Sequence, residues 1–366
     1  MVELGERPSA DSVLEQREAY SNRGEGFPSP QAASSVLLNL GQLVQSGEVD
    51  AITPYATGFD PLDRYLGGGL RPGDLVLVGG AQGAGKTTMT LQMARNLAAE
   101  SGTACGYVCY EHDEGLLLQR LISLESLIGL GKPDPDAIPI IYLRDALLQA
   151  GQLSTSAGGV SLERVLAAHP AAIAALRRIS DYGKKLYLLK GSLSATDVPA
   201  LRNFVREWKD QHGPRVALFV DYLQKVPVFP PITREVERVT KVADSLKEIA
   251  LAEEIPVVCV VAADLEGLKA QRLRIHHLRG SSSLMYESDI VLIMNNKYKI
   301  VAKHNITYNL HRAEEFKNWV VLTLEKNRSG INLLDLEFRS MFAYAGFDPR
   351  GAQVAEQLVN ERIDEE

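Results

Sequence analysis

Residues 75–90 read LVLVGGAQGAGKTTMT, and this stretch decides the fold. It begins with the apolar run Leu75–Val78, which is typical of a buried parallel strand. Gly80 to Thr87 then match G-x-x-x-x-G-K-[ST] at every position. Residues 88–94 continue with apolar side chains three and four apart, as in a helix. Strand, glycine-rich loop and helix in this order predict a nucleotide-binding P-loop.

Each part of the predicted loop has a physical task. Glycines let the backbone curl so that consecutive N–H groups point at phosphate oxygens, and the helix adds its positive N-terminal end. Lys86 is placed to reach the β- and γ-phosphates, and the Thr87 hydroxyl can ligate Mg²⁺. The residues that we expect to bind nucleotide here are Gly80, Ala81, Gln82, Gly83, Ala84, Gly85, Lys86, Thr87 and Thr88.

Composition sets the outer limits of the functional classes. The chain has 366 residues and a formal net charge of −7, so no overall basic character indicates a nucleic-acid partner. No apolar run approaches the ~20 residues of a membrane span, and the N-terminus lacks the apolar core of a signal peptide. We therefore expect a cytoplasmic protein without membrane contact. Cys105, Cys109 and Cys259 match neither a disulfide nor a zinc pattern and are predicted to be buried core residues.

A second apolar segment, residues 216–224, reads VALFVDYLQ and has the form of a Walker B strand. It places Asp221 at the carboxyl end of a predicted buried strand, where open α/β sheets bind ligands. We expect Asp221 to hold Mg²⁺ through water.

The chain divides into three predicted regions. Residues 1–50 are a flexible arm with a short amphipathic helix over 34–46, which packs on its own domain or docks on a neighbouring subunit. Residues 51–347 form the main domain, and 348–366 are an acidic, polar and loosely held tail. In the main domain, strands alternate with helical stretches such as 161–180, 195–211 (capped by Ser194) and 233–254. Residues 131–159 have weaker periodicity, and 265–277 are predicted to be a loop. The fold class is therefore α/β, a doubly wound and mostly parallel sheet with a late antiparallel hairpin over 320–338.

The residues before the P-loop carry a family resemblance. Residues 57–74 contain a TGF-x-x-LD leader and a GGGL-x-PGDL approach to the P-loop strand. Together with the Walker A loop they resemble the RecA-like ATPases of the DnaB, RadA and KaiC group. The sequence DYLQ at 221–224 resembles the DnaB-type helicases more closely, and the absence of an internal repeat disfavours the double-domain plan of KaiC. The resemblance covers about residues 57–347, without the all-helical N-terminal domain of replicative helicases. It implies a RecA-like fold, ATP with Mg²⁺, and a homo-hexameric ring.

The resemblance also implies a water-activating carboxylate. A Glu ends the strand beside the P-loop strand in DnaB-like helicases, and Glu111 follows Cys109-Tyr110 at the corresponding place. We therefore expect Glu111 to be catalytic. Asp113 and Glu114 compete with it, and an exposed acid at the end of a strand is the alternative interpretation.

An arginine finger from the neighbouring subunit is the next implied element. The family offers it in a K-x-R-x-G segment, which Lys326-Asn327-Arg328-Ser329-Gly330 matches. Arg328 is then expected to act in hydrolysis and Lys326 to contact the nucleotide, and an isolated monomer should be nearly inactive. The alternative is that both are solvent-facing charges at the end of a hairpin.

Contacts to DNA are implied by residues 278–289, which resemble the channel-lining segment of the DnaB-like group. The predicted contacts are Arg272, Arg274, Arg279 and Gly280, although a basic surface loop is the alternative. One departure concerns the Gln that senses the γ-phosphate in these helicases. Ala262-Ala263-Asp264 occupies its place, and an ionised Asp264 cannot donate a hydrogen bond to phosphate.

Two main functions are compatible with these residues. The first is an ATP-driven motor on single-stranded DNA, with helicase activity in replication or recombination. The second is a KaiC- or RadA-like regulatory or assembly ATPase without helicase activity, with a protein partner bound through the N-terminal arm. A third is an oligomer held together by slowly hydrolysed ATP.

Overall fold

The computed structural model describes residues 30–47, 52–128, 136–157, 161–280, 282–301 and 314–359. The chain divides into two units, Met1–Asp50 and Ala51–Glu366. In the first unit, helix α1 (Ala33–Ser46) forms where the apolar spacing predicts it, and none of its residues is buried. Residues 1–29 and 48–50 of the predicted flexible arm lie outside the described residues.

The described part of the second unit is organised on one ten-stranded mixed sheet with the order β10-β8-β7-β6-β1-β5-β4-β2-β3, with β9 paired to β8. The six strands from β6 to β3 along this order are parallel, and β7, β8 and β10 continue the sheet antiparallel. The α/β fold class with late antiparallel strands is therefore confirmed. The strands are β1 (Leu75–Gly80), β2 (Ala104–Cys109), β3 (Leu186–Lys190), β4 (Val216–Asp221), β5 (Val257–Ala262), β6 (Ile290–Asn296), β7 (Trp319–Asn327), β8 (Leu334–Met341), β9 (Gly346–Phe347) and β10 (Ala352–Gln353).

Helices cover both faces of this sheet. In β1, Val76 and Val78 pack into one apolar cluster, whereas Leu75 and Leu77 pack into another on the opposite face. A parallel strand with both faces buried needs this continuous apolar sequence. The described helices after α1 are α2 (Leu62–Tyr65), α3 (Lys86–Glu100), α4 (Glu114–Ile128), α5 (Ile140–Ala157), α6 (Leu162–Val165), α7 (Pro170–Tyr182), α8 (Val198–His212), α9 (Glu235–Ala252), α10 (Leu265–Lys269), α11 (Ser283–Glu287) and α12 (Lys297–Ile300).

Several helices differ from the sequence-based expectation. Helix α5 lies in a stretch of weak periodicity and was not predicted. Its apolar contacts with the core come from Leu143 and Leu147, which form a stripe too narrow to give a clear helical pattern in the sequence. The single helix predicted over 161–180 is two helices, and Pro170 begins the second, since proline is tolerated in the first turn but not in a helix interior. Ser194 does not cap α8; Asp197 does, by accepting a hydrogen bond from the Ala200 amide at 3.0 Å. The predicted loop over 265–277 contains α10.

The order of the strands corrects one expectation about the site. The strand before Glu111, β2, does not lie beside the P-loop strand β1, because β4 and β5 separate them. β2 pairs instead with the Walker B strand β4, which brings Cys109 opposite Asp221. Crossover connections set strand order, and the pattern of residues within one strand does not encode it.

The C-terminal region also differs from the prediction of a loosely held tail. The Asp60 amide donates to the Pro349 carbonyl, and strand β10 pairs with β8. Residues 348–359 therefore lie against the sheet, whose edge supplies backbone partners for them. Residues 360–366 of the predicted tail lie outside the described residues.

The three cysteines are free and buried, as predicted. Burial raises the pKa of Cys109 to about 11, so its thiol stays protonated at neutral pH.

Candidate active site

A cleft of about 700 Å³ opens at the carboxyl ends of the parallel strands. The P-loop after β1 forms one wall, and the ends of β2, β4 and β5 form the other walls. Seven of the nine predicted loop residues line it, whereas Ala81 and Ala84 do not. The lining residues from the loop are Gly80, Gln82, Gly83, Gly85, Lys86, Thr87 and Thr88.

Gly85 is required by the shape of the loop. It precedes helix α3 with a φ of +93°, in the left-handed region that side chains rarely adopt. A β-carbon at this position would also lie 2.7 Å from the ring of Phe342. The chain can therefore turn from strand to helix here only with glycine, and the turn directs the amides that begin α3 into the cleft.

Lys86 is held at the base of the loop. Its Nζ donates hydrogen bonds to the carbonyl oxygens of Gly80 and Ala81 at 2.8 and 2.9 Å. Burial lowers the pKa of Lys86, and the negative charges of Asp221 and Glu111 oppose that shift. The ammonium group is therefore directed into a cleft where it faces two carboxylates.

Asp221 ends β4 and lies against the start of α3. Its Oδ2 accepts a 2.6 Å hydrogen bond from the Thr87 hydroxyl and a 3.2 Å hydrogen bond from the Tyr107 hydroxyl. Burial raises the pKa of Asp221, while the hydrogen bonds from Thr87 and Tyr107 and the nearby His112 and Lys86 oppose this rise. The structure thus brings together the hydroxyl and the carboxylate that the sequence predicts for Mg²⁺.

This pair fits a magnesium ion by the chemistry of its donors. Mg²⁺ prefers oxygen ligands and is commonly bound through one or two protein groups together with substrate phosphates. Thr87 and Asp221 supply a hydroxyl and a carboxylate oxygen at one point of the cleft. Among the described residues there is no group of three or more His, Cys, Asp or Glu side chains that could hold a metal ion. The geometry is thus suited to a cation that a bound phosphate helps to coordinate.

The contacts of the side chains distinguish Glu111 from its two competitors, Asp113 and Glu114. Glu111 is exposed and lines the cleft after the end of β2. The Asp113 carboxylate instead accepts a hydrogen bond from the Leu116 amide at 2.8 Å, at the start of α4. Glu114 accepts one from the Lys190 amide at 2.7 Å, which lowers the pKa of the Glu114 carboxyl. Of the three acids, only Glu111 is among the residues that line the cleft.

Other cleft residues were not anticipated from the sequence. His112 and Arg120 lie on the same wall, with 3.3 Å between Nε2 of His112 and Nη2 of Arg120. His112 directly follows Glu111, which is the one local signal that could have indicated it. Arg144 lies on α5, which the sequence did not predict as a helix, and Phe342 follows β8, far along the chain from the loop that it contacts.

Arg328 and Lys326 do not lie in this cleft. β7 runs antiparallel to β6 with Asn327 opposite Ile290, so Arg328 emerges at the amino-terminal edge of the parallel strands. Its guanidinium contacts Asp289 at 3.1 Å, and its amide donates to the Asp289 carbonyl at 3.0 Å. Lys326 donates to the carbonyl of Met285 at 2.5 Å. With six residues in β1, the two edges are about 17 Å apart along the strand.

The predicted DNA contacts separate into two groups. Arg272 is buried and its guanidinium is paired with Asp335, while Nε of Arg274 lies 2.6 Å from a carboxylate oxygen of Glu325. Both arginines are therefore engaged with β7 and β8. The loop that carries them packs onto the sheet instead of extending from it. The positions of Arg272 and Arg274 therefore argue against direct contact with DNA.

Arg279 and Gly280 lie on a more open part of the surface. The Arg279 side chain is about half exposed and makes a 2.8 Å ion pair with Glu235. Together with Lys225 and Arg238 it lines a second cavity of about 320 Å³. Nε of Arg238 is buried without a hydrogen-bond acceptor among the described residues. This second cavity carries the cationic side chains that the loop at 272–274 does not present.

A loop with this shape, with a lysine at its base and the cation ligands beside it, is the phosphate-binding site of the P-loop NTPases. Within this class, one family can be assigned. The chain belongs to the DnaB-like helicase C terminal domain family, whose model matches residues 55–136 and 160–345. Membership of this family implies nucleotide binding.

Individual relatives agree with the family. The replicative DNA helicase DnaB of Treponema pallidum is 27% identical over 298 residues, which cover 78% of this chain and 54% of that protein. The DNA repair protein RadA of Campylobacter jejuni is 40% identical over 83 residues, or 23% of this chain and 18% of that protein. This chain thus spans about half the length of its DnaB relative.

A solved structure confirms the fold. A DnaB-like replicative helicase, described together with its interactions with primase, superposes with a TM-score of 0.62 at 18% identity. The match covers 93% of this chain and 72% of that one. The RecA-like architecture expected from the leader and the P-loop is therefore confirmed.

In the described residues, no helix is both long and apolar enough to cross a membrane.

Proposed function

We propose that this protein is an ATP-hydrolysing motor that acts on single-stranded DNA as a ring of identical subunits, six in the usual state of the family. The proposal includes helicase activity in replication or recombination. It goes beyond family membership because it names the reaction, the assembly and the nucleic acid.

One observation carries the proposal. The groups that hold phosphate and metal lie at one edge of the sheet, while Arg328 lies at the other edge of the same chain. Phosphoryl transfer needs positive charge on the transferring group beyond what a P-loop supplies. A ring in which the Arg328 edge of one subunit faces the cleft of the next would complete every site.

The roles of the residues follow from their positions. Lys86 contacts the β- and γ-phosphates, and Glu111 orients the attacking water from the opposite wall of the cleft. Thr87 and Asp221 would hold Mg²⁺, which offsets charge on the phosphate oxygens. Arg328 of one subunit stabilises the charge that develops in the cleft of its neighbour, and Lys326 supports nucleotide binding there.

Single-stranded DNA would bind near Arg279 and Gly280. Backbone phosphates are held by cationic side chains and amides along a groove, and such binding weakens with salt. The second cavity supplies Arg279, Lys225 and Arg238 in one place. Arg272 and Arg274 are paired with Asp335 and Glu325 of the sheet and are not part of this proposed groove.

A second candidate is a regulatory or assembly ATPase without helicase activity. It is favoured by Ala262-Ala263-Asp264, which contains no Gln, and by the burial of Arg272. The Asp264 carboxylate accepts a hydrogen bond from the Gly267 amide at 2.6 Å and so caps α10. The Asp264 carboxylate is therefore directed to the backbone of its own segment.

The two candidates differ in how the ATPase rate responds to DNA. The test measures the steady-state rate of the full chain with and without single-stranded DNA, for wild type, Glu111→Gln and Arg328→Ala. A motor is expected to be stimulated by DNA, and both variants are expected to lose the stimulated rate.

Two controls sharpen this test. Glu114→Gln changes a neighbouring acid that points elsewhere, and Arg350→Ala removes an exposed arginine paired within its own segment. A rate that ignores DNA, with no DNA binding even at low salt, would overturn the motor and leave the regulatory ATPase.

A further inference from the structure

Gln224 lies three residues after Asp221, in the turn that follows the Walker B strand. Its side chain is buried, with only 6% of the residue exposed. A buried amide has two hydrogen-bonding ends that need partners, and its neighbours therefore determine which groups it connects.

Both ends of the Gln224 amide are bonded to backbone from different segments. Nε2 donates to the carbonyl of Arg279 at 2.8 Å, and Oε1 accepts from the amide of Ala262 at 3.2 Å. Ala262 is the last residue of β5, at the position where the family resemblance leads us to expect a γ-phosphate sensor. One side chain thus joins the end of β4 to the end of β5 and to the proposed DNA segment.

The same segments are bonded to each other by backbone. The Arg279 amide donates to the Ala262 carbonyl at 2.9 Å, and the Asp264 amide donates to the His277 carbonyl at 2.9 Å. Residues 277–279 therefore follow the end of β5 as a short antiparallel bridge. The two segments are therefore bonded to each other, and Gln224 links both to the turn that follows Asp221.

Gln224 also lies at the wall between the two cavities. Ala262 and Tyr222 line the nucleotide cleft, while Tyr222, Gln224 and Arg279 line the second cavity. Tyr222 belongs to both. Gln224 is thus bonded both to a residue that lines the cleft, Ala262, and to a residue that lines the second cavity, Arg279.

We infer that Gln224 is a positioning residue that couples the nucleotide state of the cleft to the Arg279 segment, in a chain that has no Gln at the end of β5. It acts through the Arg279 carbonyl and the Ala262 amide and does not contact the nucleotide. The DNA half of this inference rests on the proposed function, whereas the coupling itself does not.

The first test follows the coupling without DNA. Backbone hydrogen exchange of residues 277–280 is compared in the full chain with and without Mg²⁺ and a slowly hydrolysed ATP analogue. Wild type is expected to change its exchange on nucleotide binding, while Gln224→Met, which keeps length but removes both hydrogen bonds, is expected to lose that change. The nucleotide affinity of the variant should stay at the wild-type value, because Gln224 does not line the cleft.

Gln224→Glu separates the two bonds at a pH where the new carboxylate is ionised, because it then keeps the acceptor for Ala262 and lacks the donor to Arg279. It is expected to lose the nucleotide-dependent change as well, and it serves as the second variant if Gln224→Met does not fold. Gln353→Met, at an exposed position on β10, is the control and should behave as wild type. A nucleotide-dependent change that persists in both Gln224 variants would overturn the inference.

The second test adds single-stranded DNA and measures the ratio of stimulated to basal ATPase rate. A coupling of ordinary size predicts that this ratio falls about 5-fold or more in Gln224→Met, with DNA affinity retained. If wild type shows no stimulation but its exchange change depends on Gln224, the motor proposal fails while the coupling stands. If stimulation is intact in Gln224→Met, the coupling role is wrong and the motor proposal stands.

Discussion

Each edge of the parallel sheet carries a buried carboxylate, Asp221 or Asp289, and the neighbours of the two differ. Asp221 at the carboxyl edge contacts the hydroxyls of Thr87 and Tyr107. Asp289 at the amino edge lies 2.7 Å from the Lys247 ammonium and 3.1 Å from the Arg328 guanidinium, and it accepts a hydrogen bond from the Leu75 amide.

The difference indicates what each carboxylate does. At the amino edge, the charge of Asp289 is balanced by cations of the same chain, as in a structural ion pair. At the carboxyl edge, Asp221 is hydrogen-bonded to neutral hydroxyls, and burial raises its pKa although Lys86 and His112 oppose that rise, so ionisation there is costly without a closer cation. The first edge is complete within one chain, whereas the second is arranged for charge brought by a ligand.

Arg328→Ala is expected to produce the largest effect. If Arg328 completes the cleft of a neighbouring subunit, its removal should lower the ATPase rate by about 10³-fold or more, because charge in the transition state is left unbalanced. Steady-state assays at saturating ATP measure this, with Arg350→Ala as the matched control. A rate within a few-fold of wild type would assign Arg328 to the Asp289 ion pair alone.

Glu111→Gln is expected to come next, with a loss of about 10²-fold or more, since a general base contributes on that scale. ATP affinity should remain, because the amide keeps the shape of the cleft wall. Glu114→Gln, three residues away, should change little. Equal losses in both variants would count against a specific role for Glu111.

Mixing these two variants sharpens the comparison of the edges. An oligomer of Arg328→Ala and Glu111→Gln subunits contains clefts with an intact Glu111 that face an intact Arg328. Part of the wild-type rate should therefore return on mixing. No recovery, in mixtures whose co-assembly is demonstrated, would place Arg328 and Glu111 in the same chain's site or in none.

Asp289→Asn tests the amino edge through stability. The substitution leaves Lys247 mostly buried without its carboxylate, so we expect the free energy of unfolding to fall by about 1–3 kcal/mol. Thermal unfolding of the nucleotide-free chain measures it. An unchanged midpoint would show that the ion pair adds no net stability.

Asp221→Asn should have the smallest effect on stability, with the opposite sign. The pKa of Asp221 is raised in the folded state, so its stabilising contribution is present in acid and is lost as the pH rises through that pKa. The amide has no such loss. The nucleotide-free variant should therefore melt above wild type at neutral pH, and this advantage should vanish below the ordinary carboxyl pKa. A variant less stable than wild type at neutral pH would contradict the cost assigned to the Asp221 charge.

Local chemistry was predictable from the sequence. The P-loop and Asp221 follow from residues adjacent in the chain, whose glycines and apolar runs permit few conformations. Thr87 and Asp221 are 134 residues apart, yet both could be assigned because Asp221 ends a strand and Thr87 lies in the first turn of a helix at the same edge of the sheet.

Nonlocal arrangements were not predictable in the same way. The position of β2 depends on a crossover that no single segment encodes, so Glu111 reaches the cleft from a strand that β5 and β4 separate from its expected neighbour β1. The burial of Arg272 depends on Asp335, 63 residues later. A run of arginines has the same pattern whether it faces solvent or a carboxylate, and only the fold distinguishes the two.

The outer edge of strand β8 has a consequence for how the protein avoids edge-to-edge aggregation. Strand β9 pairs with Ser340 and Met341, and β10 pairs with Leu336 and Glu337. These two-residue strands occupy backbone groups that a longer open margin would offer to another chain, which is a common route to aggregation. A chain shortened after Phe347 would expose the part of the β8 edge that β10 covers. The same few residues therefore help to hold the sheet together and to keep the protein soluble.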